Sequence, residues 1–406
     1  MTSTHPLIRY LIYLLALLSI LTVNIYLPAM PILQHLFHAA KSEIALTVGF
    51  YMLGLAIGIP LYGALSDHLS LKKVLLTGIS LFIVGNIIAI FSHSVSMLII
   101  ARLIQGIGAA SALSLWQAIA IKYFKETSKH IISSGYMIIG SMPALAPIIG
   151  GSVLSLTNWQ GIFIFLIILA VIVFVLSKSL NAEPKEKHQT TDHEKSHLFI
   201  AILKEYKGAL SNPKFVLYAL ASAMVYSSAY VYFSQVPFLL AKIGYNTQSL
   251  SLFFIPISVA FLLGGTFAKF TLRRNIQFKI TLSIGVISFA LAPILSVFAE
   301  AFTLNGFLLM APFFLLTIGA GILMPTLVGH ALSLQHKRAG TAASTIGTLQ
   351  NIIAFLLSSM GAYLAEYGYH GLVISYFILT LLLIAFVIIA AILPEKGIKP
   401  AYCNAP

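Results

Sequence analysis

The residues best placed to do chemistry form a short polar string inside an otherwise apolar stretch, Arg102-Leu103-Ile104-Gln105-Gly106-Ile107-Gly108. An arginine buried in lipid costs several kcal/mol unless something partners it, so such a residue marks a functional site by default. Gln105 lies one helical turn on, on the same face. Gly106 and Gly108 allow another helix to come close. A second string, Asn24-Ile25-Tyr26-Leu27-Pro28, closes the first apolar run. An amide accepts and donates hydrogen bonds but does not titrate, so Asn24 offers a partner and no counter-charge. Asn24 and Arg102 sit at comparable depth by residue count. The expected contact of Arg102 is therefore the Asn24 amide oxygen, or an anionic substrate.

The acids tell the complementary story. None of the 11 falls well inside an apolar run: Glu43, Glu300 and Glu366 lie at one set of ends, and Asp67, Glu126 and Glu395 at the other. Glu183, Glu186, Asp192, Glu194 and Glu205 share one polar stretch. Membrane enzymes need paired acids, a His–acid pair or a thiol at one face, and none is found. There is no phosphate-binding loop and no zinc spacing, which removes ATP-driven transport and argues against any cofactor or metal. The single cysteine, Cys403, reads as an incidental tail residue.

Three further features have functional candidates. Gly63-Ala64-Leu65-Ser66-Asp67-His68-Leu69-Ser70-Leu71-Lys72-Lys73 is a tight turn joining two apolar runs, with an acid and bases that can pair at one membrane face. Pro143-Ala144-Leu145-Ala146-Pro147-Ile148-Ile149-Gly150-Gly151 places prolines that bend a helix beside glycines that let a neighbour pack at the bend. Polar and aromatic residues on interior helices are the candidates for a substrate cavity: Tyr26; Trp116 and Gln117; and Tyr226, Tyr230, Tyr232, Phe233 and Gln235.

These residues need a membrane to position them. Of the 406 residues 59% are apolar and 9% charged, whereas a soluble domain carries roughly 25% charged residues. Apolar runs long enough to span recur at 9–31, 43–65, 74–93, 96–121, 131–155 and 160–180, then at 214–240, 249–271, 277–299, 303–333, 339–365 and 371–393. They do not alternate in polarity, which excludes a barrel, and open strands would leave backbone groups unsatisfied in lipid. The first run continues into Asn24 with no small-residue cleavage site and reads as an uncleaved helix. The expected division is a six-helix half over 1–180, a cytoplasmic linker over 181–213, and a second six-helix half with a short tail over 214–406. With both termini in the cytoplasm, 21 of the 24 lysines and arginines fall inside, Lys41 and Lys242 fall outside, and Arg102 falls within a span. That asymmetry is the positive-inside rule. It also accounts for the net charge of +13 through basic loops facing an anionic leaflet, without nucleic acid. The basic turn at Lys72-Lys73 recurs about 200 residues later as Arg273-Arg274, the mark of a six-helix repeat.

The turn at Gly63 resembles the loop signature of the major facilitator superfamily, G-x-L-S/A-D-R/H-x-G-R/K-R/K. It matches at Gly63, Leu65, Asp67 and Lys72, and departs at Ser70 and Leu71, where the family has glycine and a basic residue. Arg102 to Ala110 resembles the family element R-x-x-Q/H-G-x-G/A-A-A/G. Pro147 to Gly151 resembles the exporter motif of the drug/proton antiporter branch, A/G-P-x-x-G-G. Ile25-Tyr26-Leu27-Pro28-Ala29-Met30-Pro31, together with Ala339-Gly340-Thr341-Ala342-Ala343-Ser344, looks like the Bcr/CflA subgroup of drug transporters. The resemblance spans the chain and is strongest in its first half. It implies an all-α major-facilitator fold of twelve membrane helices in two pseudo-repeats around a central cavity. It also implies a monomeric multidrug exporter of the bacterial inner membrane, working by alternating access. Gly63, Asp67, Lys72 and Lys73 would form a conformational latch, and Asn24, Arg102 and Gln105 the intramembrane coupling group. The subgroup usually has aspartate where this chain has Asn24. Three mechanisms stay open: facilitated diffusion, proton coupling through Glu43, Glu366 or His330, or an acidic substrate using Arg102 as counter-charge. Export of drug-like molecules leads, and movement of a native metabolite or siderophore is the alternative.

Overall fold

The computed structural model describes residues 5–124, 127–180, 206–299, 305–335 and 339–393. Residues 181–205 of the linker expected over 181–213, together with Lys337, Arg338 and the tail with Cys403, lie outside the described residues. The first half holds α1 (His5–Asn24), a 3-10 turn at Leu27–Ala29, α2 (Met30–Leu36), α3 (Lys41–His68), α4 (Leu71–Ile90), α5 (Val95–Phe124), α6 (Ser128–Leu156) and α7 (Trp159–Ser177). The second holds α8 (Pro213–Lys242), α9 (Thr247–Leu252), α10 (Phe254–Arg273), α11 (Phe278–Ala299), α12 (Gly306–Ser333), α13 (Ala339–Leu364), a 3-10 turn at Ala365–Tyr367 and α14 (Tyr369–Ile392). Among the described residues twelve helical spans are long and apolar enough to cross a membrane. The chain is a multi-pass, all-α membrane protein.

Helices are what lipid permits, because each backbone group is then satisfied within its own segment. The side chains follow the same rule. Buried hydroxyls bond back along their helices, as Thr22 does to the Leu18 carbonyl at 2.9 Å and Ser177 to that of Val173 at 2.7 Å. Asparagines cap several starts: Asn158 Oδ1 accepts from the Gly161 amide, Asn212 from Phe215 and Asn305 from Phe307. The run expected over 9–31 is one span, Pro6–Leu36, with an irregular turn inside it. α1 stops at Asn24, and the chain passes through the 3-10 turn into α2 at Met30. Pro28 and Pro31 lack the amide hydrogens that an unbroken helix would need there.

Each half is built around one close crossing. In the first, α5 packs against both α3 and α4; in the second, α12 packs against both α10 and α11. A Cβ on Gly106 would lie 2.2 Å from the Tyr51 carbonyl oxygen, and one on Gly321 would lie 2.2 Å from that of Phe261. Only glycine lets these backbones touch.

The halves meet along α3 and α13 and along α6 with α9 and α10. At the end of the molecule away from the lysine-rich turns the α3–α13 seam is shut. Phe50 packs edge-on against Phe355 at 5.4 Å, and the Glu366 carboxylate accepts hydrogen bonds from the Ser42 amide and hydroxyl, both at 3.0 Å. Toward the basic end a Cβ built on Gly63 of α3, or on Gly347 of α13, meets nothing within 4 Å.

Candidate functional site

Between the halves lies a cavity of about 220 Å³. The first half contributes Ile20 and Asn24 from the end of α1 and Ile139, Gly140 and Pro143 from α6. The second half supplies most of the wall, and most of its aromatic surface. Tyr226, Tyr230, Tyr232 and Phe233 come from α8, Phe261 from α10, Thr317 from α12 and Tyr376 from α14. The Tyr226 and Tyr230 hydroxyls share a hydrogen bond of 2.9 Å, at the i, i+4 spacing that puts them on one helix face. The Tyr376 hydroxyl donates to the Ser228 carbonyl at 3.0 Å. Two buried polar atoms on the lining residues, Asn24 Oδ1 and Tyr232 Oη, have no hydrogen-bond partner among the described residues. Among the described residues no acid or base lines the cavity.

The charge sits behind it. Arg102 is fully buried. Its Nη1 donates to Gln105 Oε1 at 2.8 Å and to the Thr22 carbonyl at 3.3 Å. The guanidinium lies 4.7 Å from the Tyr26 ring centre and 4.5 Å from that of Tyr51, so two aromatic faces hold it. Gln105 Nε2 passes the network on to Asn86 Oδ1 at 2.6 Å, and Asn86 Nδ2 ends it on the Phe82 carbonyl at 2.8 Å. The expected contact with Asn24 is not made. Asn24 donates to the Ile20 carbonyl at 3.0 Å instead. The reason is angular: two residues along a helix turn the side chain about 200°, so Thr22 and Asn24 face opposite ways. The carbonyls of the last helical turn also lack internal donors and carry the negative end of the helix dipole, which suits a cation.

The sequence profile of the Major Facilitator Superfamily matches residues 12–358. The chain belongs to this superfamily. Among curated relatives of this major-facilitator protein, Multidrug resistance protein D of Escherichia coli (strain K12) is 28% identical over 365 residues, covering 88% of this chain and 89% of that one. The Chloramphenicol resistance protein of Pseudomonas aeruginosa is 25% identical over 352 residues, covering 85% and 80%. Among solved structures, the partially occluded inward-open xylose transporter XylE from E. coli superposes with a TM-score of 0.74 at 17% identity, covering 98% of this chain and 100% of that one. The members of this superfamily are secondary transporters of small molecules.

The other residues singled out in this major-facilitator chain fall in different places. Tyr26 is buried against Phe163 and accepts from the Thr47 hydroxyl at 3.1 Å, so it serves the arginine cage and not the cavity wall. Trp116 and Gln117 lie toward the basic end of α5, where Trp116 meets Tyr136 edge-on at 5.3 Å and Gln117 donates to the Tyr136 hydroxyl at 2.5 Å. Gln235 ties α8 to α14 through Ser375 at 3.0 Å. None of these four lines the cavity. Pro147 and Gly151 lie within α6, and a Cβ on Gly150 would stand 2.0 Å from the Ile25 carbonyl oxygen. That glycine lets α6 cross α1 at its break. At the basic turn, Ser70 is extended (φ −63°, ψ 138°), and its hydroxyl caps α4 by accepting from the Lys73 amide at 3.4 Å. The position does not require the glycine of the family signature. Lys72 Nζ donates to the Lys178 carbonyl beyond the end of α7 at 2.6 Å. The side chain of Asp67 lies outside the described residues. Of the coupling candidates, Glu43 accepts from the Ala40 amide at 2.9 Å, Glu366 bonds Ser42, and His330 stacks on Phe278 at 4.1 Å; none lines the cavity.

Phe261, Thr317 and Tyr376 are cavity residues that sequence reasoning missed. Thr317 and Tyr376 left a faint signal, as polar groups inside strongly apolar helices.

Proposed function

We propose that the protein is a secondary exporter of small organic molecules of the Bcr/CflA drug-transporter kind, working as a monomer by alternating access. The carrying observation is the cavity on the seam between the halves, shut at one end through Ser42 and Glu366, with open space beside Gly63 of α3 and Gly347 of α13 toward the other. In this reading the basic end is cytoplasmic and the membrane is the bacterial inner membrane, as the placement of lysine and arginine supports. The halves then rock about the central cavity to break the Ser42–Glu366 contact and close the basic end. The names of the two curated relatives favour drug-like cargo over a metabolite.

One observation favours a second reading, a facilitator without proton coupling. Among the described residues no carboxylate lines the cavity, and the coupling position on α1 is an amide. Flux in proteoliposomes separates the two, with drugs including chloramphenicol, dyes and a native-metabolite panel, each with and without an imposed proton gradient. Gradient-driven accumulation establishes the antiporter, whereas flux that only equilibrates establishes the facilitator. Absence of flux for drugs alongside flux for a metabolite removes the drug assignment.

A further inference from the structure

We infer that the cavity selects uncharged aromatic molecules carrying a hydrogen-bond donor over organic cations, and that Asn24 determines this selectivity. The inference rests on the reading of the chain as a small-molecule transporter and adds the chemical class of its cargo. The wall offers aromatic faces from Tyr226, Tyr230, Tyr376, Phe233 and Phe261, against which a flat ring packs edge-on or offset. Asn24 is a lining residue, and its Oδ1 is buried and unpartnered among the described residues, so a ligand donor that enters the wall there satisfies it. Leaving such an acceptor bare is costly, which makes the ligand's donor a requirement of tight binding.

A cation has no such place. It would leave its hydration shell and meet no carboxylate, because the lining has none. Contact with tyrosine faces returns part of that loss. The fixed charge of Arg102, on the far side of α1 at Thr22, opposes it further. An anion gains little in exchange, because Tyr26 and Tyr51 cover the guanidinium. An aspartate at position 24 would reverse the preference by supplying the missing counter-charge at the wall.

The test uses the full chain in lipid nanodiscs, with equilibrium binding and proteoliposome flux of radiolabelled diphenylurea (uncharged, two N–H donors) and tetraphenylphosphonium (a permanent cation). Empty discs and liposomes supply the background. The wild type is expected to bind diphenylurea at least tenfold more tightly than tetraphenylphosphonium. Asn24→Asp is expected to raise tetraphenylphosphonium affinity at least tenfold, and Asn24→Leu, which removes the acceptor, to weaken diphenylurea at least tenfold. Ser258→Asp, an acid on the α10 wall, raises the cation's affinity likewise and covers the case in which Asn24→Asp does not fold. Equal or tighter binding of the cation by the wild type overturns the inference. So does an acid at either position that leaves tetraphenylphosphonium affinity unchanged, or Asn24→Leu that leaves diphenylurea affinity unchanged. Flux of the cation alone overturns this selectivity and leaves the transporter reading standing. Absence of binding and flux for both probes overturns both.

Discussion

Arg102 stands four residues before Gly106, and Thr317 stands four residues before Gly321; the two glycines make matching crossings in their own halves. Tyr51 and Phe261 correspond in the same way, since each lends the carbonyl that its glycine touches. Gln105 and Ala320 are the residues just before those glycines. In the first half these positions build a buried polar network around a cation, turned away from the cavity. In the second, Phe261, Thr317 and Ala320 all line the cavity. One backbone scheme therefore carries two chemistries. The crossing fixes where helices touch, and the side chains flanking the glycine decide whether that place stores charge or lines the cavity.

The comparison is tested most severely at the glycines themselves. Gly106→Val and Gly321→Val should each abolish the folded protein, seen as loss of the monodisperse peak in size-exclusion chromatography, since each added Cβ meets a main-chain oxygen at 2.2 Å. Gly63→Ala, which meets nothing, should stay within about 0.5 kcal/mol of wild type. A Gly321 variant that folds while the Gly106 variant does not would end the equivalence. One step down, Gln105→Leu removes an acceptor from Arg102 and the donor from Asn86, and should cost about 1.5–3 kcal/mol in thermal unfolding followed by intrinsic fluorescence. The matched change, Ala320→Leu, should leave unfolding nearly unchanged and cut flux about tenfold by filling the cavity, equivalent to about 1.4 kcal/mol. If both changes act on stability alone, the two positions share one role. Glu366→Gln weakens the contact that shuts the seam. Spin-label distances across the α3–α13 seam at that end should then show an open population raised about two- to tenfold, in line with loss of part of a charged hydrogen bond. The smallest effect is expected from Tyr226→Phe, which removes one hydroxyl of the 2.9 Å pair and should weaken cargo affinity by about 0.5–1.5 kcal/mol.

Twelve spans were legible because lipid imposes length and apolarity on every helix, and the six-helix repeat showed in the basic turns at Lys72-Lys73 and Arg273-Arg274. Contacts within one helix could also be read, as in Arg102 with Gln105 or Tyr226 with Tyr230, because the period of the helix alone decides them. Contacts between helices could not. Whether Thr317 or Tyr376 faces the cavity depends on the rotation of α12 and α14 about their axes, and that is fixed by neighbours far away in sequence. Asn86 joins the arginine network through α4 and α5 packing, which no spacing of 19 residues announces. The Asn24–Arg102 expectation failed for a related reason: depth in the membrane was inferred from residue counts, but the facing direction was not.

The arginine cage also has an electrical consequence. Arg102 is held by tyrosine faces, an amide and a helix-end carbonyl, and no carboxylate among the described residues pairs with it. The first half thus carries a fixed elementary charge inside the bilayer. Any motion that shifts that charge along the membrane normal performs work against the transmembrane voltage. A full crossing is worth about 2.3 kcal/mol per 100 mV, so a shift through a tenth of the field contributes about 0.2 kcal/mol. The resting potential of the cell becomes a standing bias on which way the first half leans, even when no ion travels with the cargo.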